Sequence, residues 1–539
     1  MASNPGDTAE DRGSRLKGFS VVSGLTLISR FVGLARDILM AGLFGTGWIL
    51  DTFTLAFRIP GLFRRLFGEG AMTAAFLPKF VEEDQQQGRQ AASELFSAVA
   101  RQLTRWLGTS IVVLELGLFA ALFLADLSAR SELLVQLTIL LLPYSLLICV
   151  AALYCAALNG VQHFLIPAFL PVALNIVWFS GGLLAIQWSS SNEDRVRMIG
   201  LAIMCGGVVQ LGLAEWKSRH FAIQVSAGRV SDALRERVSR LFRQMGPVLF
   251  GLSITQLNAL IDSVLAWLLA QPIHAMPAAL TSFCLQEGTA SALYLGQRMF
   301  QFPLGVFGVA LGTVLFPRFS RHLAANDQKE LGRDIVHGLE LVLIVGIPAS
   351  IGLWLVADPI TDLLFRRGAF GVEDAALTVR MISAYGFGVW IYCGLLIVNR
   401  VFYAAGDQLT PARQGLVCVG LNLVLNAALL PILRETALPV GSVLATLCQL
   451  GLALEVLRRR FLTTGYGVFW PVLWRSLLAT GLMTVCCLLV EPYEFGGEGN
   501  AGRLIRTLVP IMVCVGIYWA TLRLTGLIPK RLLREQFGG

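Results

Sequence analysis

Charge is scarce in this sequence. Asp, Glu, Lys and Arg make up 14% of its 539 residues, against about 25% in a typical soluble domain. That shortage excludes a water-soluble globule of this size, which would need a polar skin these residues cannot build. Histidine is scarcer still. His163, His220, His274, His322 and His337 fall mostly at predicted helix ends and form no cluster. The acids inside apolar runs are scattered singly. A membrane-embedded transferase or phosphatase needs clustered acids for Mg2+, or a nucleophile beside a base; neither is present, so no enzyme is expected. The ten cysteines sit mostly inside apolar runs, as Cys149, Cys205, Cys418 and Cys486 do. They show neither metal-site spacing nor a disulfide framework, and read as small buried hydrophobes. A signal peptide is also missing: the first apolar run, from near Phe19, is too long and lacks a small-residue cleavage pattern. It is expected to stay as a spanning helix behind a polar tail, 1–18.

Apolar residues are what the chain has. They make up 55% of it, and the mean hydropathy is +0.68. A spanning helix needs about 20 apolar residues, and the runs and their breaks give about fourteen spans. Six lie at 18–44, 50–80 (interrupted), 95–124, 133–158, 166–188 and 196–216. Six more lie at 247–270, 288–317, 335–356, 377–404, 411–433 and 438–456. A last pair covers 468–490 and 504–524. The expected fold is therefore an all-α polytopic membrane protein. Its expected divisions are a tail (1–18), a six-helix lobe (19–220), a connector (221–245), a second six-helix lobe (246–460), and a C-terminal helix pair with tail (461–539).

The net charge of +8 is distributed as orientation signals, not as a nucleic-acid surface. The connector after the sixth span carries Lys217, Arg219, Arg229, Arg235, Arg237, Arg240 and Arg243. Arg318, Arg321, Lys329 and Arg333 follow the eighth span, Arg458, Arg459 and Arg460 the twelfth, and Lys530, Arg531 and Arg534 end the chain. The loops 189–194 and 491–498 are acidic. The positive-inside rule and the even span count agree in placing both termini in the cytoplasm. Within the connector, Leu234, Val238, Leu241 and Phe242 alternate with arginines at helical spacing. That pattern predicts an amphipathic helix on the cytoplasmic leaflet.

The chain also repeats at roughly 240 residues. Ala75-Phe76-Leu77-Pro78-Lys79-Phe80 resembles Leu315-Phe316-Pro317-Arg318-Phe319, and Pro60 and Pro303 precede them. Ala157-Leu158-Asn159-Gly160, with Pro167 and Asn175, resembles Ala404-Ala405-Gly406, with Pro411 and Asn422. An even number of spans separates the copies, so the repeat is parallel, as in transporters built from two six-helix halves.

The chemistry lies in charges at membrane depth. Arg30, Arg36 and Asp37 sit in the first run; Asp51, Arg58, Arg64, Arg65 and Glu69 sit in the second. Each ion at the bilayer centre costs at least about 2.5–3.5 kcal/mol, so these must face water, each other or a ligand. Arg30 and Asp37 are seven residues apart, as are Asp51, Arg58 and Arg65, nearly two α-helical turns. Asp37, Asp51 and Glu69 read as pairing or gating groups. Arginines outnumber the acids, and Arg298 has no acid neighbour in its own span. Guanidinium forks match phosphate oxygens two at a time, so Arg30, Arg36 and Arg298 point to a phosphate-bearing substrate. Arg64 and Arg65 lie nearer a boundary, where snorkelling competes. Asp262, Asn422, Asn426, Ser442 and Thr446 form a second set, suited to Na+, to a proton relay, or to helix-to-helix hydrogen bonds.

These residues carry a family resemblance. Ser29-Arg30-Phe31-Val32-Gly33-Leu34-Ala35-Arg36-Asp37 and Phe57-Arg58-Ile59-Pro60-Gly61-Leu62-Phe63-Arg64-Arg65-Leu66-Phe67-Gly68-Glu69-Gly70-Ala71 resemble the first- and second-helix blocks of the MurJ (MviN) lipid II flippases. The stretch from Arg298 to Pro317 resembles their eighth-helix block, and Leu364-Phe365-Arg366-Arg367-Gly368-Ala369-Phe370 resembles another piece. The family belongs to the superfamily of multidrug exporters and O-antigen flippases. The resemblance implies two pseudo-symmetric six-helix lobes, fourteen helices and alternating access. It implies that lipid II, the undecaprenyl-pyrophosphate-linked peptidoglycan precursor, moves from the cytoplasmic to the periplasmic leaflet of the inner membrane for cell-wall synthesis. Another polyprenyl-pyrophosphate-linked oligosaccharide is the alternative cargo. Arg30, Arg36, Arg64 and Arg298 would meet the pyrophosphate and headgroup. Asp37, Asp51 and Glu69, with Arg58 and Arg65, would gate or balance charge. The last helix pair would form a groove for the polyprenyl tail. Asp262, Asn422, Asn426 and Thr446 would match a sodium site, with Na+ the coupling-ion candidate and no other cofactor. Some members have an acid just before the eighth-helix arginine; here Gln297 stands there. Lipid II, membrane lipids and cell-wall synthesis proteins are the expected partners of a monomer.

Overall fold

A computed structural model of the chain describes residues 9–226, 231–270, 278–462, 469–490 and 499–526. Every regular element among them is helical. In chain order these are α1 (Ala9–Phe44), α2 (Trp48–Phe63), a π-helix (Arg64–Phe76), α3 (Leu77–Gln86), α4 (Arg89–Leu124), α5 (Ala129–Leu141), α6 (Tyr144–Gly160), α7 (Leu165–Trp188), α8 (Asn192–Arg219) and α9 (Asp232–Leu269). Then follow α10 (Thr289–Pro303), a second π-helix (Leu304–Val309), α11 (Ala310–Ala324), α12 (Gln328–Leu355), α13 (Ala357–Leu364), α14 (Val372–Gly386), α15 (Val389–Ala404), α16 (Leu409–Leu433), α17 (Ala437–Phe461), α18 (Trp470–Val490) and α19 (Asn500–Leu524).

Each of the fourteen predicted segments is helical. Among the described residues, nine helices are long and apolar enough to cross a membrane unaided, ten if the pair α14–α15, bent by 42°, is one span. Three of those nine join separate elements: α5 with α6, α10 through the second π-helix to α11, and α16 with α17. The charged helices α1 and α2 are outside that set. Large apolar side chains such as Phe123, 84% exposed, and Leu124, 85% exposed, are left uncovered. Hydrocarbon, not water, is the solvent that tolerates them. The chain is an all-α, multi-pass membrane protein.

By packing, the chain divides into residues 1–256 and 257–539. In the first unit α7 packs along α8 and α1 along α7. Small residues set those approaches: a Cβ on Gly206 would sit 2.7 Å from a Leu174 methyl, and one on Gly182 would sit 2.7 Å from a Leu39 methyl. Apolar helices gain little from hydrophobicity inside lipid, so close contact at small residues holds them together. In the second unit α12 packs against both α15 and α18, and α18 pairs with α19. Tyr518 on α19 donates its hydroxyl to the Ile344 carbonyl at 2.5 Å. The C-terminal pair is therefore fastened to α12.

The sequence repeat has a backbone counterpart. Among the described residues each unit holds one π-helical stretch, Arg64–Phe76 and Leu304–Val309, following Pro60 and Pro303 respectively. Proline lacks the N–H for an i→i−4 bond, and π segments are rare and concentrate at functional sites.

One expectation is corrected. The connector 221–245 was predicted to contain a separate amphipathic helix lying on the leaflet. Phe221–Ser226 is not helical, and the helix that begins at Asp232 continues unbroken to Leu269. Its apolar face is not offered to lipid: Val238, Leu241 and Met245 join the core of the first unit, and Phe242 lies 4.8 Å from Trp106. Arg237 pairs with Glu83 at 2.5 Å. The acidic loop 491–498, residues 1–8 of the tail and the basic residues Lys530, Arg531 and Arg534 lie outside the described residues.

Candidate substrate and ion sites

On α1, Arg30 and Arg36 have opposite surroundings. Arg36 is 7% exposed and Asp37 3%. Arg36 Nε and Nη2 donate to Asp37 Oδ1 at 3.0 and 2.5 Å, and Nη1 donates to Asn175 Oδ1 at 2.9 Å. Its guanidinium carbon stands 4.0 Å from the centre of the Trp178 ring. Arg30 is exposed. Arg36 is thus locked between helices, while Arg30 is not covered by them.

Asp51, in the first turn of α2, is completely buried. Arg130, at the start of α5, stands 3.6 Å from its Oδ2. Nothing in the pattern around Arg130, at a loop–helix junction 79 residues away, marks it as this partner. This pair fixes the beginning of α2. Removing one partner of a buried pair leaves an uncompensated charge and costs about 3–5 kcal/mol. Arg130→Ala is therefore expected to lower the thermal midpoint of the purified protein clearly, and Asp51→Asn with Arg130→Gln to recover part of it. An unchanged midpoint in Arg130→Ala would exclude this role.

Arg58, Arg64 and Arg65 are half-buried. Arg64 and Arg65 open the first π-helix, and Arg65 Nη1 donates to Gln256 Oε1 at 2.7 Å. The side chain of Glu69 lies outside the described residues. In the second unit Arg298 is half-buried in α10. Gln297, beside it, donates from Nε2 to the Tyr385 hydroxyl at 2.9 Å. The position that is acidic in some resembling proteins is here anchored to α14 by an amide.

The second polar set converges. Asp262 (α9) and Asn422 are fully buried; Asn426 is 1% exposed. Asn422 and Asn426, one turn apart on α16, each donate from Nδ2 to Asp262 Oδ1 at 2.9 Å. Ser442 on α17 donates to Asp262 Oδ2 at 2.5 Å. Asn258 joins them, accepting from Asn422 at 2.5 Å and donating to Ser442 at 3.3 Å. It lies one turn before Asp262, so i, i+4 spacing could have found it. Thr446 donates to the Ser442 carbonyl at 2.7 Å; Ser442, not Thr446, makes the hydroxyl contact to the carboxylate. The two amide oxygens, Asn422 Oδ1 and Asn426 Oδ1, are buried without a hydrogen-bond partner. Both point at Gly441 on α17, where a Cβ would stand 2.3 Å from Asn426 Oδ1 and 3.2 Å from Asn422 Oδ1. Unsatisfied buried acceptors are costly. As oriented, the amides turn their N–H ends to Asp262 and their oxygens to Gly441; turned over, they would join the carboxylate in a hard-oxygen donor set, the chemistry that suits an alkali cation. Among the described residues no group of three or more His, Cys, Asp or Glu could hold a metal ion, which leaves amide and hydroxyl oxygens as the remaining donors here.

The family described as lipid II flippase MurJ matches residues 40–500. A probable lipid II flippase MurJ of Rhizobium tropici is 32% identical over 438 residues, covering 80% of this chain and 79% of that protein. A lipid II flippase MurJ of Burkholderia cenocepacia is 29% identical over 510 residues, covering 93% and 94%. In fold, the chain is similar to a lipid II flippase MurJ solved in an inward closed conformation, with a TM-score of 0.73 and 21% identity, covering 93% of this chain and 98% of that one. It is also similar to an inward-facing multidrug resistance MATE family transporter of the MOP superfamily, with a TM-score of 0.61 and 12% identity, covering 82% and 97%. Helices, buried cations and sequence lead to one conclusion: this chain belongs to the lipid II flippase MurJ family, whose members are transporters and not enzymes.

Proposed function

We propose that this chain carries lipid II from the cytoplasmic to the periplasmic leaflet of the inner membrane by alternating access, with both termini in the cytoplasm. The observation that carries this reading is the family match over 40–500. The geometry supports it: Arg30 is exposed on the helix in which Arg36 is locked away. The headgroup pyrophosphate is doubly anionic, and a guanidinium fork is its natural partner. Arg30, Arg64 and Arg298 are proposed to engage it, Arg36 and Asp37 to shape α1, and Asp51, Arg58, Arg65 and Glu69 to balance charge during the change of access. The polyprenyl tail stays in lipid. Reconstitution into proteoliposomes tests this directly: labelled lipid II added to one leaflet should become accessible from the other only when the protein is present. Equal transfer of a different polyprenyl-linked sugar, without lipid II transfer, would replace this cargo with that one.

Asp262, Asn422 and Asn426, supported by Ser442 and Thr446, are proposed to hold Na+. A bound Na+ would supply positive charge beside the Asp262 carboxylate and link transport to the sodium gradient. The orphaned amide oxygens support this reading. Replacing Na+ by choline is expected to slow lipid II transfer by the native protein and to leave Asn426→Ala, already slow, unaffected. Equal sodium dependence in both proteins would remove Asn426 from the site.

A further inference from the structure

Asn175 uses both ends of its amide on one helix. Its Oδ1 accepts from Arg36 Nη1 at 2.9 Å, and its Nδ2 donates to the Ser29 carbonyl at 3.2 Å. Ser29 immediately precedes Arg30, and Arg36 lies two turns beyond Ser29. One buried side chain on α7 therefore pins α1 at two points that bracket the exposed Arg30. Three residues on, Trp178 lies on the same face of α7, since i and i+3 are neighbours on a helix. It is 2% exposed, and its ring lies against the Arg36 guanidinium. Phe53 and Phe57 of α2 meet that ring edge-on at 5.6 and 4.8 Å. Asp37 closes the remaining side of the guanidinium.

We infer that Asn175 and Trp178 are positioning residues for lipid II translocation: they clamp Arg36 and the Ser29 carbonyl so that Arg30 is presented to the pyrophosphate. The inference rests on the transport reading above and assigns two residues of α7 to it. Its chemistry separates the clamp from a generic packing contact. Aspartate at 175 would keep an acceptor for Arg36 but lose the donor to Ser29, and would set carboxylate oxygen against carbonyl oxygen. Lysine at 36 would keep the charge but lose the planar fork that bonds two partners and stacks on indole. Phenylalanine at 178 keeps a π face; leucine does not.

The test is lipid II transfer in proteoliposomes across a range of lipid II concentrations, with thermal unfolding of each purified variant in parallel. Asn175→Ala should raise the apparent KM for lipid II about tenfold, the loss expected for a hydrogen bond to a charged group, and Asn175→Asp, which keeps an acceptor for Arg36 but loses the bond to Ser29, should raise it by a smaller factor. Their maximal rates should change little, while their unfolding midpoints should fall, since each variant strips a buried group of its partner. Trp178→Phe should retain most transport, and Trp178→Leu should behave like Asn175→Ala. Native KM in both Asn175 variants would overturn the inference while leaving the transport reading intact. So would a loss of rate that follows the unfolding midpoint with KM unchanged, because that is a purely structural role. A native protein that moves no lipid II would overturn the transport reading and this inference with it.

Discussion

Arg30→Ala and Arg298→Ala are each expected to abolish lipid II translocation while leaving the protein folded and inserted. Arg30 is exposed, so truncating it removes no packing. What it removes is a charge-assisted contact to phosphate, and each such hydrogen bond contributes about 1.5–3 kcal/mol. Losing two from one fork corresponds to a drop of at least about a hundredfold, since about 1.4 kcal/mol is tenfold. Arg298, half-buried in α10, is expected to show the same loss of transport with a larger change in unfolding midpoint. The measurement is the sidedness of lipid II in cells depleted of the native protein and supplied with each variant, with membrane abundance as the control. Normal outward appearance of lipid II with Arg30→Ala at native abundance would remove Arg30 from the substrate site.

Gly441→Ala is expected to be the most damaging single-methyl change in the second unit. The new Cβ would stand 2.3 Å from Asn426 Oδ1, far inside contact distance, and Asn426 is 1% exposed with no room to retreat. The amide must leave Asp262 or α17 must move. Overpacking costs about 1–3 kcal/mol, and each buried group stripped of its partner adds about 1–3 kcal/mol. A fall in thermal midpoint should accompany loss of any sodium dependence of transport. Asn426→Ala in the same chain removes the collision, so the double variant should be more stable than the sum of the single changes predicts, a coupling that a double-mutant cycle measures. Additive effects would show that the two residues do not meet.

Much of the architecture was legible because lipid imposes a single strong requirement, a long apolar helix: all fourteen predicted segments are helical, and nine or ten of the described helices are long and apolar enough to span unaided. The connector was misread for a definable reason. The pattern of Val238, Leu241 and Phe242 reports that one face of a helix is apolar; it does not report whether lipid or protein covers that face. The short helix α13 and both π segments left no periodic signal. At the sites, neighbours along one helix were readable: Arg36 beside Asp37, and Asn422 one turn before Asn426. Partners from other helices were not. Asn175 stands 139 residues from Arg36, and Gly441 is silent until its backbone is seen against two amides.

The π-helical stretch that begins at Arg64 changes how positions along the second span can be compared. Asp51, Arg58 and Arg65 share a face only if every residue advances by the α-helical angle of about 100°. From Arg64 to Phe76 the hydrogen bonds close wider, i→i+5 rings, and each residue turns through less. A helical wheel drawn across the whole segment is therefore nearly right at Arg65 and drifts further out of phase with every residue to Phe76. A cysteine-accessibility scan should show an α-helical rhythm as far as Phe63, lose it through Phe76, and regain it in α3 with a shifted phase.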